Sequence, residues 1–271
     1  MKIGLNSEIF PREMSPTDAV RHAAAVGAQG YELVLQDKGA RLSLDSEPTA
    51  FTELKRAADD VGVEIPSVCC STHWTLPLTD PDPEVREAGI AALVRAMEIG
   101  SVLGARVLLV VPGVVKAEVT YATAYQRAAE GVARLAAHAQ ALGMRIGVEN
   151  VWNKFLLSPL EMARFIDEIG SPAVGAYFDV GNVLTYGYPQ HWIETLGQRI
   201  VAVHVKDYRN NVPGFGGFVH LLQGDVPWAA VRGGLDTVGY DGYVTAELSP
   251  YRFHPVEAAL DTVRAMRLVF S

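Results

Sequence analysis

The sequence predicts an α/β chain closed into a single (β/α)8 TIM barrel, and three observations carry that expectation. The chain has 271 residues, and about 250 is the ordinary length of such a barrel. Eight short, β-rich apolar runs alternate from end to end with eight stretches of helical periodicity. Parallel neighbours need a crossover helix, so this alternation implies a parallel sheet. The turn after the first run reads NSEIFPREMSP, without the Gly-rich fingerprint of an open dinucleotide-type sheet. No linker-like or low-complexity stretch divides the chain, so residues 1–271 are expected to form one domain.

The first strand is read at Lys2–Leu5, ahead of a helix over 16–27. Ser15, Pro16 and Asp18 open that helix with a hydroxyl cap, a proline whose missing N–H costs nothing, and an acid in the first turn. The strand Tyr31–Leu35 precedes a helix over 48–61, and Glu64–Cys70 precedes one over 83–103. Cys69 and Cys70 are neighbours in a strand and point to opposite faces, which argues against a disulfide between them. Arg106–Val111 leads to an Ala-rich helix over 121–142, long enough to cover a sheet face. Arg145–Glu149 leads to a helix over 159–169, opened by a capping box in which Glu161 answers the backbone N–H of Ser158. Val174–Asp179, Ile200–Val205 and Tyr243–Leu248 precede helices over 189–197, 226–238 and 255–269. Glycines 27, 62, 104, 143, 170 and 239 stand where left-handed caps close helices.

Composition narrows the function classes. Apolar residues make up 49% of the chain, enough for a sizeable core. Lys and Arg number 23 against 31 Asp and Glu, a net charge of -8. That balance argues against nucleic acid or an anionic membrane as partner, since both need a positive surface. There is no CxxC pairing, no secretory h-region in MKIGLNSEIF and no apolar run near 18 residues. A cytoplasmic protein is expected.

In a barrel the C-terminal ends of the strands carry the chemistry. Strands five to eight end in GVEN, YFDVGN, HVKD and TAEL, delivering Glu149, Asp179, His204 and Glu247 to one edge. Three carboxylates and an imidazole brought together repel one another unless a cation joins them. Three oxygens and one nitrogen suit one divalent ion, Mn²⁺, Mg²⁺ or Co²⁺, with Zn²⁺ also compatible.

The ordered set GVEN, YFDVGN, HVKDY and TAEL, with LLQGDVPW and GYDGY between, resembles the sugar-phosphate isomerase/epimerase group of xylose isomerase-like barrels. Its members include ketose 3-epimerases and L-ribulose-5-phosphate 3-epimerase. The resemblance spans the chain and is sharpest from Gly147 to Pro250. It implies Glu149, Asp179, His204 and Glu247 as metal ligands, with Glu149 and Glu247 doubling as the acid/base pair. Where ketose 3-epimerases carry a substrate-touching His, three residues after the strand-six Asp, this chain has Asn182. Arg209 is the nearest counterpart of the family's arginine beyond the strand-seven His. The implied reaction is isomerisation or epimerisation of a small-molecule sugar, keto-sugar or sugar phosphate through a metal-stabilised cis-enediolate. A metal-dependent dehydratase or lyase, eliminating a β-substituent after the same proton abstraction, is the alternative. The endonuclease branch of the superfamily needs several more His ligands and a basic surface, which this chain lacks. By analogy with the group, a homo-oligomer is open.

Weaker candidates follow from position. His73, Lys206 and Trp152 are expected substrate contacts, with Asp207 bracing a loop. Glu32 reads as a structural or supporting carboxylate. Trp74, Phe155, Phe215 and Phe218 are loop aromatics able to wall a sugar ring. The Gly-rich loop Asn210–Gly217 suits a lid or a backbone phosphate cradle. His22, His138, His191, His220 and His254 read as surface histidines, His220 least clearly.

Overall fold

The computed structural model describes residues 1–36 and 41–271. Eight parallel strands close into a barrel: β1 Lys2–Asn6, β2 Gly30–Leu35, β3 Ser67–Cys70, β4 Val107–Val110, β5 Arg145–Glu149, β6 Val174–Asp179, β7 Ile200–Val205 and β8 Tyr243–Ala246. Each pairs with its chain neighbours, and β8 closes on β1 with Tyr243 opposite Lys2 and Ala246 opposite Leu5. The crossovers are the helices α1 Pro16–Val26, α2 Pro48–Val61, α3 Pro83–Leu103, α4 Tyr121–Ala141, α5 Pro159–Ile169, α6 Pro189–Leu196 and α7 Trp228–Thr237, and α8 Glu257–Phe270 follows β8. The expected barrel is therefore the observed one.

Alternation along the strands builds two apolar regions. Leu108 and Val110 of β4 join the main core between barrel and helices. Val107, Leu109 and Val111 turn the other way and pack with Tyr177 and Ala202. The remaining inward side chains are largely polar, and they lead to the site described below.

Element boundaries shift where chemistry demands it. β3 begins at Ser67 rather than Glu64, because Pro66 has no N–H to donate to a ladder. Glu64 keeps only an isolated bridge to Gly30. β8 ends at Ala246, although the Glu247 N–H still donates to the Val205 carbonyl at 3.1 Å. Ser15 caps α1 by accepting from the Asp18 N–H at 3.1 Å. Ser158 caps α5 in the same way, but the Glu161 carboxylate accepts from the Leu157 N–H at 2.8 Å, not from Ser158. The Tyr121 hydroxyl, 2.6 Å from the other Glu161 oxygen, draws the carboxylate to that side. Among the described residues no helix is long and apolar enough to cross a membrane.

Candidate metal centre and active site

The strand register sets the ligand group. Glu149 and Asp179 are the last residues of β5 and β6. Asp179 lies opposite His204 across the β6–β7 ladder, and Glu247 follows the last residue of β8 directly. One donor atom from each of these four side chains falls within 4.8 Å of all the others. Ligands about 2.2 Å from a common ion lie at most about 4.4 Å apart, so small side-chain adjustments would bring all four onto one ion. His204 Nδ1 faces the group, 3.4 Å from Glu149 Oε1, 3.8 Å from Glu247 Oε2 and 4.0 Å from Asp179 Oδ2. Buried Asp179 Oδ2 makes no hydrogen bond of good geometry among the described residues; the Lys206 ammonium stands 2.9 Å from it, and the oxygen's other lone pair is left for an ion. The donor set fits a divalent ion.

Neighbouring loops fix these carboxylates. The Asn150 side chain accepts from the Asp179 N–H and donates to its carbonyl, both at 2.8 Å, and so extends the β5–β6 pairing by one side chain. The Asn182 N–H donates to Asp179 Oδ1 at 2.7 Å, and its side chain donates to the Asn150 carbonyl at 2.9 Å. Trp152 Nε1 donates to the Asn182 carbonyl at 2.8 Å. Thus Asn182 and Trp152 hold the ligand loops in addition to facing the cavity.

Electrostatics separate the two glutamates. Burial, reinforced by the charges of Glu247 and Asp179, lifts Glu149 to about 7 against the hydrogen bond from His204. Burial also acts on Glu247, but the Lys206 ammonium and His204 outweigh it and hold the acid at about 2. Lys206 hydrogen-bonds Glu247 and stands 2.9 Å from Asp179 Oδ2. His204 is pulled well upward, against its burial, by Glu32 and Glu247.

A cavity of about 670 Å³ opens onto the group, lined among others by His73, Trp74, Glu149, Trp152, Asn182, Lys206, Phe215, Phe218 and Glu247. Trp152 packs at a tilt against Phe218 and Phe215 at centroid distances of 4.9 and 5.3 Å, forming one aromatic wall. His73 is buried with its Nδ1 unpartnered among the described residues, and burial depresses its pKa to about 4.

Other expected residues sit elsewhere. Phe155 is buried against Tyr121, Tyr125 and Phe165 in the outer core, away from the cavity. Arg209, expected as a substrate contact, is exposed; its Nε donates to the Gln223 carbonyl at 2.9 Å, and it stands outside the residues that line this cavity. The reason is local. After β7 the chain turns into a two-residue antiparallel ladder, Asp207–Tyr208 against Phe218–Val219, which carries Arg209 outward. Asp207 does brace this region, accepting from the Tyr208 and Val226 N–H groups and from Trp228 Nε1. In the Gly-rich loop, Gly217 packs against the Tyr208 ring and Phe215 stands at the rim, 80% exposed. Cys69 and Cys70 are not joined in a disulfide, and of the two Cys69 lines the cavity.

Among the cavity residues that escaped the sequence reading are two with ionisable side chains, His220 and Glu8. His220 faces the cavity and stacks on Tyr251 at 4.5 Å, rather than lying on the surface. Glu8, at the cavity edge, pairs with Arg41 at 3.2 Å. His220 directly follows the short Asp207–Tyr208/Phe218–Val219 ladder, and that pairing is the signal that places it.

Comparison with known proteins adds an independent line. A family model described as "Xylose isomerase-like TIM barrel" matches residues 20–269. A protein of Escherichia coli K12, provisionally named an L-ribulose-5-phosphate 3-epimerase, is 27% identical over 273 residues, covering 99% of this chain and 95% of the relative. A 2-epi-5-epi-valiolone 7-phosphate 2-epimerase of an Actinoplanes species is 29% identical over 191 residues, 70% of this chain and 67% of its own. The crystal structure of a D-tagatose 3-epimerase-like protein superposes with a TM-score of 0.85 at 21% identity, covering 99% of this chain and 97% of that one. That last likeness concerns the fold.

Proposed function

The chain is an enzyme of the xylose isomerase-like TIM barrel family, and from that premise we propose that it is a divalent-metal-dependent epimerase or isomerase of a sugar or sugar phosphate. The observation that carries this reading is the convergence of Glu149, Asp179, His204 and Glu247 within 4.8 Å at the floor of a cavity. The named activities of the relatives, two of them sugar-phosphate or cyclitol-phosphate epimerases, support it. The reading takes residues 1–271 as one barrel domain.

In this reading the four side chains hold one ion, Mn²⁺, Mg²⁺ or Co²⁺ by donor chemistry, with Zn²⁺ compatible. The ion supplies Lewis acidity that makes a C–H beside a carbonyl removable. Glu149 and Glu247 reach the substrate from β5 and from the end of β8. One takes the proton to leave a cis-enediolate, and the other returns a proton to the opposite face. His73, Asn182 and Lys206 supply hydrogen bonds to hydroxyl groups, and Trp152 offers an apolar face to the sugar's C–H side.

The test uses chelator-stripped protein, reconstituted with each metal and incubated with a panel of ketoses and ketose phosphates. A new epimer accumulating only in the metal-loaded samples is expected. Full turnover after stripping, or a product lighter by one water, would overturn the reading, the latter in favour of elimination.

A further inference from the structure

One buried side chain behind the candidate ligands makes more polar contacts than a structural carboxylate needs. Glu32 on β2 is fully buried in the barrel interior. Its Oε1 accepts from Asn6 Nδ2 of β1 at 2.7 Å and from His204 Nε2 of β7 at 2.6 Å. Its Oε2 accepts from the Ser67 hydroxyl of β3 and the Tyr177 hydroxyl of β6, each at 2.5 Å. An ionised carboxylate offers about four lone-pair sites and no donor. Four donors from four other strands therefore saturate it.

A barrel layer is ordinarily filled by bulky aliphatic residues, and a charge there costs several kcal/mol unless it is fully paired. A carboxamide of the same shape could keep its oxygen towards Asn6 and His204 and turn its N–H groups to the two hydroxyls, which also accept, whereas an alkyl side chain removes both acceptor oxygens. With Nε2 donating to Glu32, a neutral His204 ring carries its lone pair on Nδ1, the atom that faces Glu149, Asp179 and Glu247. The Tyr177 ring packs on the imidazole at 4.4 Å and limits its rotation.

Building on the metal reading above, we propose that Glu32 is a positioning residue: from inside the barrel it fixes the tautomer and orientation of His204, and Asn6, Ser67 and Tyr177 hold Glu32 in turn. Partners of this kind behind a ligating histidine are worth about 10- to 100-fold in metal affinity.

Two readouts test it: calorimetric titration with Mn²⁺, and ¹⁵N chemical shifts of the histidine ring nitrogens in metal-free protein at a pH high enough to leave His204 neutral. Glu32→Leu, which removes both acceptor oxygens, is expected to weaken Mn²⁺ binding about 10- to 100-fold and to abolish the preference of His204 for the Nε2–H form. Tyr177→Phe, which keeps the ring, should shift both in the same direction by less, and it decides the matter if Glu32→Leu fails to fold. Binding within twofold of wild type together with an unchanged tautomer, in a folded variant, overturns the proposal. Wild-type protein that takes up no Mn²⁺ overturns the metal reading instead, and the ring-nitrogen shifts still judge Glu32.

Discussion

Glu149 and Glu247 approach one centre from different strands, and each can be neutralised without changing its shape. Glu149→Gln and Glu247→Gln are expected to lower turnover by about 10²- to 10⁴-fold while retaining part of the metal affinity, read by steady-state kinetics beside metal titration. Near-normal turnover in either variant contradicts the assigned roles. His73 makes a separate prediction about pH. Its folded-state pKa of about 4 lies below its ordinary 6.5, because burial disfavours the charged ring. The unfolded chain therefore binds more protons in that interval, so stability from this group is complete above 6.5 and is lost as pH falls towards 4. Wild-type protein should lose about 1–3 kcal/mol more than His73→Gln between pH 7.5 and pH 4 in urea unfolding. Parallel pH profiles for the two proteins would count against a buried, neutral His73.

At the scale of elements, the loops after β5 and β6 are tied by side chains that imitate backbone pairing. Asn150→Ala would strand the N–H and carbonyl of Asp179, at a cost of about 1–3 kcal/mol. At roughly 2–4 °C per kcal/mol for a chain near this size, a melting scan should show a clear drop, together with weaker metal binding. An unchanged melting temperature would mean that Asp179 is held in some other way. The same elements show what the sequence made legible. Strand periodicity and a barrel's functional edge located Glu149, Asp179, His204 and Glu247, because each ends an apolar run. The positions of Arg209 and His220 were not legible because a two-residue ladder carries no periodicity, so the turn after β7 could not be read from pattern. Glu32 was placed as a supporting carboxylate, but its partners come from four strands far apart in sequence, and no local spacing announces them.

For the whole molecule, one ion would join β5, β6, β7 and the end of β8, half of a closed barrel. Binding to the folded state alone stabilises it by about 2.7 kcal/mol at a hundredfold excess over Kd. Mn²⁺ added to stripped protein should therefore raise the melting temperature by roughly 5–10 °C, and Asp179→Asn should blunt that rise. A melting temperature indifferent to Mn²⁺ would deny the ion a structural share. The central claim, proton exchange at a carbon beside a carbonyl, is tested most directly in D₂O. Metal-loaded protein is incubated there with the ketose and ketose phosphate panel, and products are read by NMR and mass spectrometry. The account predicts an epimer carrying one deuterium at the inverted carbon and no other change in mass, lost in Glu149→Gln and Glu247→Gln. Epimer formed without solvent deuterium, or loss of water from the substrate, would contradict it.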